Sequence, residues 1–243
     1  MSFFELFVTI VLRFCYNSVV SNDNKFCTWI TIYRFMGNDA LVLDESLFLG
    51  KGSKRICYRH PEDASKCIKI DLNEKRKVTP KELKYYQRYA RKGIRFDLIA
   101  PYYGEVMTNG GKGYVFGLAY DYNGKISKSI KYYLKTCRNE QVLDGLFLGL
   151  LGLKKFMVSY GIMVMELGYE NMIYQQITPY SGNVIFIDGI GNNQFLPSAN
   201  YLRIHARRVI RRKWFKFEQR LMARYRDIPP IYKRFKMLSE AHV

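Results

Sequence analysis

Lys69 is a lone cation inside the apolar run Cys67-Ile68-Lys69-Ile70. A buried ammonium requires a carboxylate partner or an anionic ligand. Glu82, near the start of the next helical stretch, is the nearest candidate, and a Lys69–Glu82 pair facing a cleft would hold phosphate oxygens. The plainer alternative has Lys69 pointing to solvent from an edge strand. Asn171 and Asp188 offer oxygen ligands of the kind Mg²⁺ takes, with waters and substrate phosphates completing the shell. Asp188 ends Val184-Ile185-Phe186-Ile187, where a carboxylate has no packing role, although an aspartate there could also cap a turn. Glu166, five residues before Asn171, could accept a proton from an attacking hydroxyl. Gly50 and Gly52 flank Lys51 between two strands, so a strand-to-helix phosphate loop is excluded. Such a hairpin can still lay N–H groups over phosphates, and an ordinary tight turn is the competing reading.

These residues need elements to hold them. Residues 41–49, 55–58 and 66–70 read as an antiparallel meander. Thr79 suits an N-cap, Pro80 the first helical position and Glu82 the capping box, with Gly93 closing that helix. Residues 102–108 and 113–121 flank Asn109-Gly110-Gly111 as a hairpin. An amphipathic helix over 127–137 precedes a long buried helix over 140–160, whose Gly145, Gly149 and Gly152 permit close packing. Residues 171–176 and 183–188 form a last strand pair, and residues 200–226 form basic helices. A strand-rich part followed by a helix-rich part predicts an α+β protein in two lobes.

Composition narrows the function classes. The 243 residues are 48% hydrophobic and 25% charged, a globular balance that excludes a disordered tail. A net charge of +18 implies an anionic partner. Five scattered cysteines and three histidines argue against a disulfide framework or zinc site and for a reducing cytosol. Residues 1–40 read as an extension, with an apolar run over 6–12 too short to span a bilayer; an upstream start or a weak membrane-contacting helix would account for it. Residues 227–243 read as a tail.

The order of parts resembles the protein-kinase-like fold: glycine hairpin, strand lysine, helix glutamate, apolar helix, Glu166-Leu167-Gly168-Tyr169-Glu170-Asn171, then Ile187-Asp188-Gly189-Ile190-Gly191. More narrowly, Leu49-Gly50-Lys51-Gly52, Cys57-Tyr58-Arg59-His60-Pro61-Glu62-Asp63-Ala64, Cys67-Ile68-Lys69-Ile70 and Glu82-Leu83-Lys84-Tyr85-Tyr86 resemble the PhoP regulatory network protein YrbL family. The resemblance covers about residues 44–225 and is strongest up to Tyr120. It implies a two-lobed fold with ATP and Mg²⁺ between residues 41–121 and 122–226. Lys69 would contact the α and β phosphates, Glu82 would pair with it, and Asn171 and Asp188 would hold the metal. Asp121, within Tyr120-Asp121-Tyr122, would fall near the hinge that holds adenine.

Two departures lie in the catalytic loop. Glu166 stands where kinases carry aspartate, and Gly168 stands where they carry lysine, which removes one source of transition-state stabilisation. A regulatory pseudokinase is therefore the first rival to a phosphotransferase. The stretch after Gly191 is too short for a peptide-gripping segment, so the expected acceptor is a small or glycolipid hydroxyl. Between residues 200 and 226 ten lysines and arginines accompany one acid, Glu218. That helix reads first as a solvated basic face, next as contact with an anionic inner-leaflet membrane or glycolipid, and last as a nucleic-acid surface.

Overall fold

The computed structural model describes residues 40–73, 78–193 and 202–241. The chain divides into Met1–Ala40 and Leu41–Val243, and the expectations for the N-terminal extension lie outside the described residues. The second unit is a mixed α+β structure.

Five strands, β1 (Phe48–Lys51), β2 (Arg55–Arg59), β3 (Lys66–Asp71), β4 (Tyr102–Thr108) and β5 (Gly111–Gly117), form an antiparallel sheet in the order β1-β2-β3-β5-β4. Alternation along β3 sends Ile68 and Ile70 to one face, with Leu43 and Val115, and Cys67 to the other. Helix α1 (Val78–Arg91) packs Leu83, Tyr86 and Tyr89 into the second face, where the Tyr86 and Phe116 rings lie 5.9 Å apart.

Three differences from the sequence-based expectations have local causes. Residues 41–49 are not one strand, because the Asp44 side chain accepts from the Ser46 N–H and caps a short 3-10 turn, Glu45–Leu47, before β1 begins. Thr79 is not the helix cap. It lies buried within α1, where Asp71 at the end of β3 accepts from its N–H (3.0 Å) and its hydroxyl (2.6 Å). Asp71 thus does from a neighbouring strand what a local cap would do. The strand expected over 113–121 ends at Gly117, and Asp121 lies in a turn closed by its N–H donating to the Lys125 carbonyl (2.8 Å).

Beyond that turn lie β6 (Lys128–Ser129), α2 (Ile130–Thr136), α3 (Glu140–Tyr160), β7 (Met172–Gln176), β8 (Gly182–Phe186), α4 (Arg203–Arg224) and α5 (Pro229–Glu240). Helix α3 starts on the Asn139 side chain, which accepts from the Val142 N–H, and stops at Gly161 with φ +68°. It fills the core with Leu146, Leu150 and Leu153, all fully buried. Its Gly145 meets the β7–β8 turn so closely that a methyl group there would lie 2.0 Å from the Tyr180 carbonyl oxygen. Residues 227–243, expected as a tail, contain α5. Pro229 and Pro230 start it at positions whose N–H groups have no helical partner, and Ile231, Phe235 and Leu238 form its buried stripe. No described helix is long and apolar enough to cross a membrane.

The two sheets meet beside β8. Phe186 donates to the Leu98 carbonyl and accepts from the Ala100 N–H, both at 3.0 Å, which continues β8 alongside the segment leading into β4. This junction brings the end of β8, and with it Asp188, to the α1-covered face of the first sheet.

Candidate functional site

Lys69 occupies the central strand β3, paired with Cys57 of β2 on one side and Tyr114 of β5 on the other. The strand is not an edge, and the residue is 8% exposed. Its Nζ donates to the Ile187 carbonyl (2.6 Å) and lies 4.5 Å from the centre of the Phe116 ring. Burial, with Arg55 nearby, lowers its pKa from 10.5. Cys57 and Cys67 share its face of the sheet. The hydrogen bond between the two thiols lowers the Cys67 pKa and, together with burial, raises that of Cys57.

The expected Lys69–Glu82 pair does not form. Glu82, 1% exposed, instead accepts from Arg55 Nη1 at 2.7 Å. The same guanidinium donates to the Thr79 hydroxyl (3.1 Å) and ion-pairs through Nη2 with Asp188. The second Glu82 oxygen accepts from the N–H groups of Gly189 and Ile190, each at 3.0 Å. Glu82 therefore ties α1 both to β2 and to the bend after Asp188. Arg55 is the residue that the sequence analysis missed. Period-two alternation puts Arg55 and Cys57 on the face that holds Cys67, Lys69 and Asp71, so a second buried cation was there to be found.

The bend places Asp188 beside Asn171. The Asn171 backbone accepts from the Ile187 N–H (2.9 Å) and donates to the Gly168 carbonyl (3.0 Å). Its amide nitrogen lies near two glycines: a methyl group would come within 3.4 Å of it at Gly168 and 3.9 Å at Gly189. Gly189 has φ +87°, a conformation glycine takes without strain. Met165 donates to the Gly189 carbonyl (2.8 Å), so the backbone leading into Glu166 is locked to the same bend. The Glu166 side chain is 75% exposed, with one oxygen 3.6 Å from Arg220.

Helix α4 supports this loop from behind. Lys213 Nζ donates to the carbonyls of Val164 (2.8 Å) and Met165 (2.7 Å), and Arg220 donates to that of Leu167 (2.6 Å). Burial and the adjacent Arg212 lower the Lys213 pKa, while Glu166 opposes the shift.

The remaining expected residues lie elsewhere or are engaged. Gly50 pairs with Cys57, and nothing stands within 4 Å of where its side chain would be. The Gly52 N–H closes the turn onto the Arg55 carbonyl (2.8 Å). Asp121 is buried, and one of its oxygens accepts from the Ser127 hydroxyl (2.7 Å) and the Gln176 N–H (2.9 Å). Its carboxylate holds a turn together.

The order of elements and this cluster accompany a family-level match. The family model described as PhoP regulatory network protein YrbL matches residues 41–222. The chain belongs to the YrbL family. Relatives named "Uncharacterized protein YrbL" from Escherichia coli (strain K12) and Shigella flexneri are each 33% identical over 178 residues, which is 72% of this chain and 85% of theirs. The match spans every residue of the cluster, from Gly50 to Asp188.

Asp188 and Asn171 of this YrbL-family chain are oxygen donors of the type that a hard divalent ion takes. Asp188 is 34% exposed, more open than Glu82, and the Asn171 amide lies near Gly189, the next residue. Among the described residues no group of three or more His, Cys, Asp or Glu is placed to chelate a metal. A metal at Asp188 would therefore take most of its ligands from phosphates and water, as Mg²⁺ does.

Proposed function

We propose that this YrbL-family chain is a kinase-like protein that binds ATP with Mg²⁺ between the β1–β5 sheet and the helical part, and transfers phosphate to a small or glycolipid hydroxyl acceptor. The 2.6 Å bond from Lys69 Nζ to the carbonyl preceding Asp188 carries the reading, since it joins strand lysine and candidate metal ligand across 118 residues. Lys69 would neutralise phosphate oxygens. Asp188 and Asn171 would hold the metal, which would screen the charge of the phosphates, and Glu166 would take the acceptor proton. The exposed side of α4 carries Ile204, Arg208, Arg211 and Phe215 at spacings of four, three and four, which suits an anionic, partly apolar acceptor at an inner-leaflet surface. The family description names the PhoP regulatory network, and a phosphotransfer of this kind would act within that response.

A second reading, nucleotide binding without turnover, is favoured by Gly168 in place of lysine and by Arg220 beside Glu166. One set of measurements separates the two: fluorescent ADP binding and ADP release from ATP, for the unmodified chain, Lys69→Met and Glu166→Gln. We expect Lys69→Met to weaken binding at least tenfold, and Glu166→Gln to bind normally but release no ADP. Binding by the unmodified chain without ADP release against any anionic hydroxyl acceptor selects the second reading. Absence of nucleotide binding by the unmodified chain overturns both.

A further inference from the structure

Asp188 already has a cation. Arg55 Nη2 pairs with it, and Arg55 is 7% exposed. That guanidinium is fixed from two other directions: Nη1 donates to Glu82 Oε2 (2.7 Å) and to the Thr79 hydroxyl (3.1 Å). Thr79 is in turn anchored on both oxygens of Asp71, at 2.6 and 3.0 Å. A planar guanidinium held on several edges cannot follow a moving carboxylate as a flexible ammonium would. Asp188, 34% exposed against 7% for Arg55, is the half of the pair that solvent and ions can reach.

We propose that Arg55 sets the metal affinity of the site by competing with a divalent cation for Asp188. The proposal rests on the nucleotide–magnesium reading above and adds a residue that the family resemblance does not supply. A metal approaching Asp188 meets two fixed positive groups, Arg55 and Lys69, in a region where burial strengthens charge–charge interaction. Glu82 offsets part of this charge, but its oxygens are engaged by Arg55 and by the Gly189 and Ile190 N–H groups, so it supplies no ligand to the metal. A polyphosphate supplies the negative charge that offsets both cations. Metal affinity is therefore low for the protein alone and rises when nucleotide is present, and linkage requires the metal to raise nucleotide affinity by the same factor. Arg55 acts here as a positioning residue.

The test is Mn²⁺ binding, read from the electron paramagnetic resonance signal of free Mn²⁺, on the full chain without nucleotide. Arg55→Met is expected to raise Mn²⁺ affinity at least tenfold over the unmodified chain. Arg55→Lys, which keeps a charge opposite Glu82 but loses the fork, is expected to raise it at least threefold, and it decides the matter if Arg55→Met does not fold. Adding Asp188→Asn to either variant should remove the gain. Structural damage alone would lower metal affinity, so the gain is the diagnostic sign. Unchanged or weaker Mn²⁺ binding in the folded Arg55 variant overturns the proposal, as does a gain that survives Asp188→Asn. Failure of the unmodified chain to bind ADP would instead remove the nucleotide reading, and the Mn²⁺ comparison made without nucleotide distinguishes the two failures.

Discussion

Replacing Glu82 by glutamine tests whether this residue is the hub of the cluster. The carboxylate accepts from Arg55 with one oxygen and from the Gly189 and Ile190 N–H groups with the other. Glutamine has the same shape but only one accepting end. If its oxygen faces the two backbone N–H groups, its NH₂ meets the Arg55 guanidinium; if it is turned round, its NH₂ meets the two N–H groups. Either orientation sets donor against donor in a site that is 1% exposed. Removing one member of a buried ion pair costs about 3–5 kcal/mol. Arg55 keeps Asp188 as a partner, so the lower end, about 3 kcal/mol, is expected. At about 2–4 °C per kcal/mol for a folded unit of this size, the melting temperature should fall by about 6–12 °C. Circular dichroism at neutral pH measures it. In an Arg55→Met background the same Glu82→Gln change should cost less by at least about 1 kcal/mol, because the guanidinium that it offends is gone. A single variant melting within 2 °C of the unmodified chain, or strictly additive costs in the double variant, would refute the reasoning.

Helix α3 offers a matched pair: Gly145→Ala puts a methyl group 2.0 Å from the Tyr180 carbonyl oxygen, whereas at Gly152 nothing stands within 4 Å. Thermal melts should show Gly145→Ala destabilised by about 2 kcal/mol or more through overpacking, and Gly152→Ala unchanged or stabilised by up to about 1 kcal/mol from helix propensity. Because burial lowers the Lys69 pKa below 10.5, the ammonium that would attract phosphate is present at low pH and lost as pH rises through that lowered value. Nucleotide affinity in the unmodified chain should therefore fall with rising pH at a midpoint below 10.5, and Lys69→Arg should flatten the fall; equal pH profiles would count against Lys69 as the phosphate contact.

Local chemistry made much of this fold legible. The bounds of α3 follow from Asn139 and Gly161, and the β4–β5 hairpin follows from its Asn-Gly-Gly turn. Lys69 and Asp188 each stood out as a charged group in or just after an apolar run, and the structure puts the Lys69 ammonium on the carbonyl that precedes Asp188. Partner choice was not readable. Two cations share one face of the β2–β3 ladder, and which of them takes Glu82 depends on where α1 lands, a tertiary matter that spacing does not encode. The cap of α1 escaped for the same reason, since Asp71 reaches Thr79 from a different element. Helix α5, read from the sequence only as a tail, opens on Pro229 and Pro230, which occupy its first helical turn.

The basic helix shows why net charge is a poor guide to a partner until its cations are followed to their contacts. Arg203 and Arg207 both donate to the Ser159 carbonyl, at 2.7 and 3.0 Å, at the C-terminal end of α3, where carbonyls lack helical partners and the helix dipole is negative. Lys213 and Arg220 take the carbonyls of residues 164, 165 and 167, and Arg224 donates to the Tyr169 hydroxyl. The segment between α3 and β7 is largely irregular, so these carbonyls have few strand or helix donors within reach. Long basic side chains from the next helix supply those donors. The positive charge of α4 thus does part of its work inside the protein, holding the loop that carries Glu166 and leads to Asn171. Arg208 and Lys216, exposed on the other side of α4, are among the cations of the described residues that an anionic surface or acceptor would meet.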